Sequence, residues 1–331
     1  MAMAPLATTA QSNAVPSPIG GLNTRDSVDL LPETDAIRLD NFFPARSHVQ
    51  VRNGYDDHVT SLPSTVESLM VYNSGTASTM FAASGTAVYN VTSAGSVGSA
   101  VITSLTNARF QSVNMTTSGG SFLFICNGAD APRHWNGSAW ATPTLGSVTA
   151  ANIINVEVYK ERLFFVLKDS LTYGYLPVNA VAGTVASVNL GSVFSKGGKI
   201  MAIATWTRDG GAGPDDNILF FTDQGEIAMY SGTDPSDATK WGLVGVYTVG
   251  RPIGHRCMLK VGSDCYLVTE NGLLPMTQVL GTGEAAPNVA LSDKISSSYS
   301  WRFYPIHHQF RNWCVVTVHQ SRRLCVGGFQ Q

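Results

Sequence analysis

Residues 201–249 read MAIATWTRDGGAGPDDNILFFTDQGEIAMYSGTDPSDATKWGLVGVYTV, and this stretch decides the fold class. Short runs rich in β-branched and aromatic residues are separated by Gly, Asp and Ser, the pattern of strands joined by tight turns. Four such runs follow one another, MAIATW, NILFFT, EIAMY and WGLVGVYTV, with Asp223-Gln224-Gly225 as the turn between the second and third. Four consecutive strands with short connections predict one antiparallel blade of a β-propeller.

The same pattern recurs along the chain. Further units begin at VESLMVY from Val66, FQSVNMT from Phe110, VEVY from Val156 and CMLKV from Cys257, and a weaker one begins at WRFYP from Trp301. Their central turns are separated by roughly 40 to 55 residues, which is the period of propeller blades. We therefore predict an all-β fold, a β-propeller of about six four-stranded blades over residues 48–331, with an atypical last blade at 300–331. A β-sandwich pair or a meandering all-β domain is the alternative.

Composition limits the possible functions. Lys plus Arg total 21 and Asp plus Glu total 23, a net charge of -2, which argues against a nucleic-acid binder that neutralises phosphates with a basic surface. No uninterrupted apolar run approaches the roughly 20 residues of a membrane helix, so we predict no membrane insertion. The cysteine count of five is odd and most lie in apolar runs, which indicates buried free thiols in a reducing compartment.

The N-terminal 47 residues differ from the rest. We predict a flexible N-terminus followed by an extended arm, because residues 16–47 mix Pro, Gly and acids with isolated apolar residues and show no sustained period. The apolar side chains of this arm need a surface to pack on, either the chain's own propeller or a neighbouring subunit. A strand that begins at His48 could complete the last blade. The candidate interface residues are Leu22, Asn23, Arg25, Asp26, Phe42 and Phe43.

No motif in the sequence specifies an active site. The loop at residues 209–216 is the densest group of carboxylates and glycines, so Asp209, Asp215 and Asp216 are a weak Ca²⁺ candidate. Their spacing matches neither an EF-hand nor the nonapeptide Ca²⁺ repeat, and a solvated turn is the simpler interpretation. We predict no catalytic residues, no cofactor and no enzymatic activity. A carbohydrate-binding or glycoside-cleaving propeller stays open as the alternative, since propellers often carry paired carboxylates at the axis.

Several segments together resemble a tail protein family of short-tailed bacteriophages, the tail nozzle, tail hub or tail tubular protein B of podoviruses. The residues that carry the resemblance cover most of the stretch from 16 to 280. They lie at 18–26, 34–44, 51–55, 117–121, 127–133, 135–140, 175–180, 230–235 and in the region that begins at Thr205. The chain departs from the family after Pro305, where IHHQFRNWCVVTVHQSRRLCVGGFQQ replaces the expected apolar strand pair and Trp-rich end.

The resemblance implies a structural virion protein of the tail, assembled in the host cytoplasm. Its partners would be other copies of itself in a homohexamer, the head-to-tail adaptor, and tail fibre or spike proteins. The ring would form a conduit through which DNA passes during ejection without specific binding.

Overall fold

The computed structural model of the chain describes residues 14–209, 214–282 and 290–297, with the backbone alone at residues 208, 209, 214, 215, 281 and 282. The architecture is all-β, and it is a β-propeller preceded by an extended arm. Among the described residues, no helix has both the length and the apolar character needed to cross a membrane.

The arm contains short strands. These are β1 (Gly21–Leu22), β2 (Asp35–Ala36), β3 (Phe42–Pro44), β4 (Val49–Val51) and β5 (Val59–Thr60). β1 pairs with β2 in parallel, and β3 pairs with β4 in an antiparallel hairpin. The strand after His48 therefore lies in a hairpin of the arm, and the last blade that we expected it to complete lies outside the described residues.

Blades 1 and 2 follow the arm, each with four antiparallel strands. Blade 1 contains β6 (Val66–Asn73), β7 (Ser78–Ser84), β8 (Ala87–Asn90) and, after β9 (Gly95–Ser96), β10 (Ala100–Ile102). Blade 2 contains β11 (Gln111–Thr117), β12 (Gly120–Cys126), β13 (Arg133–Trp135) and β14 (Trp140–Ala141). β9 pairs in parallel with β5, so the end of the arm is attached to blade 1.

Blades 3 and 4 also have four strands, and blade 5 has three. After β15 (Leu145–Gly146), blade 3 contains β16 (Ile153–Tyr159), β17 (Arg162–Leu167), β18 (Thr172–Tyr175) and, after β19 (Gly183–Thr184), β20 (Ala186–Asn189). Blade 4 contains β21 (Ile200–Asp209), β22 (Pro214–Thr222), β23 (Glu226–Gly232) and β24 (Trp241–Thr248). Blade 5 contains β25 (Met258–Val261), β26 (Asp264–Thr269) and β27 (Gly272–Pro275), and helix α1 (Met276–Thr282) follows it.

The propeller prediction is confirmed, and the blade count differs slightly. The described residues form five blades where we expected about six. The four runs predicted within residues 201–249 are β21 to β24, paired in that order. The predicted sixth blade at 300–331 lies outside the described residues.

The second strands of blades 2, 3 and 4 explain why the sequence folds this way. Residues 123–126, 163–166 and 218–221 are apolar without alternation, and every one of their side chains is fully buried. A strand that alternates apolar and polar residues has one solvent-exposed face, whereas a strand with a continuous apolar run must pack against neighbours on both faces. Neighbouring blades supply that cover, one on each side of the sheet.

Apolar clusters join successive blades along the chain. Met70, Phe81 and Leu123 belong to the cluster between blades 1 and 2, and Met115, Phe124 and Phe165 to the one between blades 2 and 3. Between blades 3 and 4 the cluster is aromatic, and the ring centroids of Tyr173 and Phe220 stack 4.5 Å apart. Between blades 4 and 5 it contains Trp206, Phe221, Cys265 and Leu267.

Glu226 fixes the loop that precedes blade 4. Its carboxylate is buried and accepts hydrogen bonds from the backbone N–H and hydroxyl of Ser195, at 3.2 and 2.6 Å, and from the backbone N–H of Lys196 at 2.8 Å. Burial acts to raise the pKa of Glu226, but these donors outweigh it and hold the pKa below its usual value. The adjacent Gly225 has φ of +77°, and a Cβ there would lie 2.3 Å from the carbonyl oxygen of Val249, so only glycine fits this turn.

Candidate assembly surface

A buried asparagine organises the arm. Asn23 is fully buried, and its Nδ2 donates to Asp26 Oδ2 and Asp35 Oδ2, both at 2.8 Å. Its Oδ1 accepts from the backbone N–H groups of Arg25 and Asp26, both at 3.2 Å. One side chain thereby joins two segments of the arm that are separated by a loop. The pairing of β1 with β2 continues the same junction and leaves Leu22 half-buried.

Residues 293–297, which follow blade 5 in the chain, contact this junction. The Nζ of Lys294 lies 3.1 Å from both carboxylate oxygens of Asp35 and 3.2 Å from the carbonyl oxygen of Gly20. The carbonyl oxygen of Lys294 accepts from the backbone N–H groups of Thr24 and Arg25 at 2.8 and 3.1 Å. We call this set of contacts, centred on Asn23, Asp35 and Lys294, the arm clamp.

Charge strengthens the arm clamp. The hydrogen bond from Asn23, followed by that from Lys294, holds the pKa of Asp35 below its usual value. Arg25 donates to Asp26 at 2.8 Å and also contacts Asp293, and its hydrogen bond is the main reason that the pKa of Asp26 falls to about 2. The candidate interface residues Asn23, Arg25 and Asp26 thus come together, and the contacts that they make here are within one chain.

Phe42 and Phe43 lie elsewhere in the arm, on the β3–β4 hairpin. They are 46% and 39% exposed, and the cross-strand partner of Phe42, Val51, is 61% exposed. The hairpin therefore presents two aromatic rings and a valine to solvent, Phe42 and Val51 on one face and Phe43 on the other. Exposed apolar side chains of this kind mark an interaction site. We call these three residues the arm hairpin surface.

The outer strand of blade 4 is a second apolar surface, and sequence reasoning missed it. β24 runs for eight residues without a charge and exposes Leu243, Val244 and Val246. The outer strands of blades 1, 2 and 3 are only two to four residues long. A long, uncharged edge strand is a template for intermolecular pairing, and proteins usually shorten or charge such an edge. The absence of Lys, Arg, Asp and Glu from WGLVGVYT was the available signal.

The Ca²⁺ candidate does not gather three ligands among the described side chains. Asp216 lies on β22, where its Oδ2 accepts from the Nζ of Lys160 at 2.7 Å and its Oδ1 from the hydroxyl of Thr207 at 2.9 Å. The hydrogen bond from Lys160 is the main reason that the pKa of Asp216 is lowered. Asp209 and Asp215 lie on the facing strands β21 and β22, and their side chains are outside the described set. Over the described residues, no group of three or more His, Cys, Asp or Glu side chains is placed to hold a metal ion.

A carboxylate and an ammonium from the inner strands of blades 3 and 5 influence each other. Glu157 is on β16, and burial is the main reason that its pKa rises to about 7, while the charge of Lys260 on β25 acts to lower it. The Nζ of Lys260 donates to the hydroxyl of Thr205 on β21 at 2.5 Å. The three residues come from blades 3, 4 and 5, so their proximity was not readable from the sequence.

The similarities to known proteins are structural and distant. No family model matches the chain, and no curated protein sequence matches it. Among solved structures, the chain is similar to BBS1N in complex with ARL6DN, with 10% identity, a TM-score of 0.43, and 69% of this chain and 68% of that chain covered.

Two further structures show comparable similarity. One is a putative 6-phosphogluconolactonase from Bacteroides uniformis, with 11% identity, a TM-score of 0.41 and 71% of each chain covered. The other is the C-terminal WD40 domain of Sif2, with 13% identity, a TM-score of 0.37, and 70% of this chain and 60% of that chain covered. At such identities and TM-scores none of them carries an argument about function, and the propeller assignment rests on the five sheets themselves.

Proposed function

We propose that this chain is a structural subunit of the tail nozzle, or hub, of a short-tailed bacteriophage. Copies of the propeller would form a homohexameric ring below the portal and adaptor, with a central conduit for DNA ejection and an outer surface for fibres or spikes. The observation that carries the proposal is the arm itself. The segments that resemble the nozzle family in the arm are held by the arm clamp, while the arm hairpin surface stays exposed and apolar.

Such an arrangement suits a ring subunit. A contact between two different surfaces of one chain, repeated by rotation, closes into a ring when the rotation allows it. The arm hairpin surface and the edge strand β24 are two different exposed apolar surfaces on the same molecule. Rigid attachment of the arm also limits the entropy lost when a neighbour binds, because the contacting residues are already ordered.

The charge balance suits a conduit. A net charge of -2 gives the chain no excess of cations with which to retain the phosphates of passing DNA. The low fraction of charged residues, 13%, also lets subunit contacts form with few ions to desolvate.

The test is the location of the protein in a virion. We expect a mass-spectrometric inventory of purified particles to contain this chain and cryo-electron microscopy to place it in a six-fold layer of the tail. A particle whose tail lacks the chain would refute the proposal. A glycan array and a glycoside hydrolysis screen address the carbohydrate alternative, and the proposal predicts no signal in either.

A paired variant tests the arm hairpin surface. Phe42→Ser with Phe43→Ser should leave folding intact, since both rings are partly exposed and belong to the arm hairpin outside the blade clusters, but should prevent incorporation into tails. Val178→Ser, which changes a residue in blade 3 that is 42% exposed, is the matched control and should assemble normally. Normal incorporation of the double variant would show that this surface is not part of the assembly.

A further inference from the structure

The chain contains four places where asparagine is followed by glycine. They are Asn53-Gly54, Asn127-Gly128, Asn136-Gly137 and Asn271-Gly272. Because glycine has no Cβ, its backbone nitrogen can come close to the side-chain carboxamide of the asparagine before it. An asparagine in this setting is chemically labile unless the fold holds its side chain or the following nitrogen in place. The four pairs share one chemistry, so the structure around each pair decides which of them reacts.

Asn53-Gly54 lies in the connector at residues 52–58, between the arm hairpin and β5. The connector contains no strand or helix, and all of its residues are exposed. Among the described residues, neither Asn53 nor Gly54 makes a hydrogen bond. A Cβ built on Gly54 would meet no atom within 4 Å, so the space around its nitrogen is open. The carboxamide of Asn53 is therefore free to turn toward that nitrogen.

The side chains of Asn127 and Asn136 are held by hydrogen bonds. The Oδ1 of Asn127 accepts from the backbone N–H groups of Ala129 and Asp130 at 3.1 and 2.8 Å, and its Nδ2 donates to the Asp130 carboxylate at 2.6 Å. The Oδ1 of Asn136 accepts from two backbone N–H groups of its own turn, at 3.0 and 2.9 Å. These bonds fix the plane of each carboxamide, and they must break before its carbon can meet the following nitrogen.

In the fourth pair the glycine is held instead. Gly272 is buried at the start of β27 and is paired with Thr269 across the hairpin. The hydroxyl of Thr269 also donates to the carbonyl oxygen of Gly272 at 3.0 Å, and a Cβ on Gly272 would lie 2.4 Å from Ser292 Oγ. The backbone nitrogen that would have to move toward Asn271 is therefore fixed within a packed strand.

We propose that Asn53 is a modification site, at which the asparagine of the native chain converts to aspartate and isoaspartate. In the first step a bond forms between the backbone nitrogen of Gly54 and Cγ of Asn53, while the bond from Cγ to Nδ2 breaks. The Nδ2 leaves as ammonia and takes the proton that the Gly54 nitrogen loses, so a succinimide ring remains. Water then opens the ring at either carbonyl carbon, and the two openings give aspartate and isoaspartate. The inference is independent of the tail proposal, because it concerns a reaction within one chain.

The modification adds a charge where the arm joins the propeller. Each event adds one carboxylate to a chain whose net charge is -2. The guanidinium carbon of the neighbouring Arg52 lies 5.8 Å from the centroid of the Tyr55 ring, so the new carboxylate arises beside a cation. Isoaspartate also lengthens the main chain by one methylene group, and the connector has no strand pairing to lose. We therefore expect the modified chain to stay folded.

Peptide mapping of the full chain tests the proposal. The native protein would be incubated in mildly alkaline buffer, digested at intervals and analysed by mass spectrometry, with a fragmentation method that separates aspartate from isoaspartate. We expect the peptide that contains Asn53 to react first. Each of the other three pairs should react at least about tenfold more slowly, since each has to open locally before it can react. A parallel incubation in urea is the control, because without the fold the four pairs should react at similar rates.

Two glycine variants test the route of the reaction. Gly54→Ala adds a methyl group where the structure has space for it, and should slow the conversion of Asn53 by about tenfold. Gly98→Ala is the matched control, because Gly98 is also exposed with no atom within 4 Å of a built Cβ, and it should leave the rate unchanged. Neither glycine has a left-handed φ, so we expect both variants to fold.

Three results would overturn the proposal. One is an Asn53 peptide that stays unmodified in the native chain, or that reacts no faster than the three other pairs. Another is a reaction at Asn53 that becomes more than about tenfold faster in urea, since the fold would then protect the connector. The third is an unchanged rate in Gly54→Ala, which would rule out the ring as the intermediate.

Discussion

The arm clamp gives the sharpest prediction. Asn23→Ala removes the amide that donates to Asp26 and Asp35 and the oxygen that accepts two backbone N–H groups. Hydrogen bonds to charged groups contribute about 1.5–3 kcal/mol each, and Asp35 retains Lys294 while Asp26 retains Arg25. We therefore expect the free energy that holds the arm closed to fall by about 2 kcal/mol. At about 1.4 kcal/mol per tenfold, the open fraction of the arm should rise roughly thirtyfold.

Hydrogen exchange monitored by mass spectrometry is the assay, because it resolves the arm from the blades. Peptides that cover residues 18–36 should exchange roughly thirtyfold faster in Asn23→Ala, while peptides from β12, β17 and β22 keep their protection. Asn90→Ala is the matched control, because Asn90 is exposed and, among the described residues, its side-chain oxygen accepts from the neighbouring Thr92 alone. It should change neither set of peptides.

The same clamp should depend on pH. The pKa of Asp35 is lowered in the folded chain, so its contribution is present above the unfolded value of 3.8 and is lost as the pH falls through the folded value. Arm protection should therefore decline on acidification before the blades unfold. Arm peptides that exchange at the same rate in Asn23→Ala and the unaltered protein would refute the reasoning. So would equal acceleration of arm and blade peptides, since the cluster would then stabilise the whole fold.

Three further predictions concern the propeller. Glu226→Gln should lower the free energy of unfolding, measured in urea at neutral pH, by about 1–3 kcal/mol, because the buried donors lose a charged acceptor. The difference between the variant and the unaltered protein should shrink as the pH falls through the lowered pKa of Glu226, and a difference that stays constant would contradict this. Glu157 has a raised pKa, so its contribution to stability is full below pH 4.5 and is lost as the pH rises through about 7. Glu157→Gln should abolish that loss. If the assignment is wrong, denaturation curves from pH 4 to 8 will show that the stability of Glu157→Gln still falls with pH. Burial raises the pKa of the thiols of Cys126, Cys257 and Cys265, so a thiol reagent should label them only after unfolding, and rapid labelling of the native protein would disagree.

Local patterns were enough to predict the blades. The runs at residues 218–222 and 226–230 became β22 and β23, because a continuous apolar run, a turn with glycine and a second apolar run specify a hairpin without help from distant residues. The blade count was harder to predict, since blade 5 has three strands among the described residues and the predicted sixth unit lies outside them.

The functional surfaces were only partly predictable. Composition indicated that Phe42 and Phe43 are apolar side chains in need of a partner, and both are exposed on the arm hairpin surface. The interface prediction did not anticipate that Asn23 would contact Asp35, because a polar residue in an irregular segment carries no periodicity from which burial can be read.

By itself the sequence determined the all-β class and the repeated hairpins, because strand and turn preferences act over a few residues. Tertiary structure alone decided which distant groups meet, such as Lys294 with Asp35, Lys160 with Asp216 and Lys260 with Thr205. Those contacts depend on how the blades turn about a common axis, and no spacing along the chain encodes the resulting distances. The exposure of β24 is set in the same way, by which strands have neighbours and which do not.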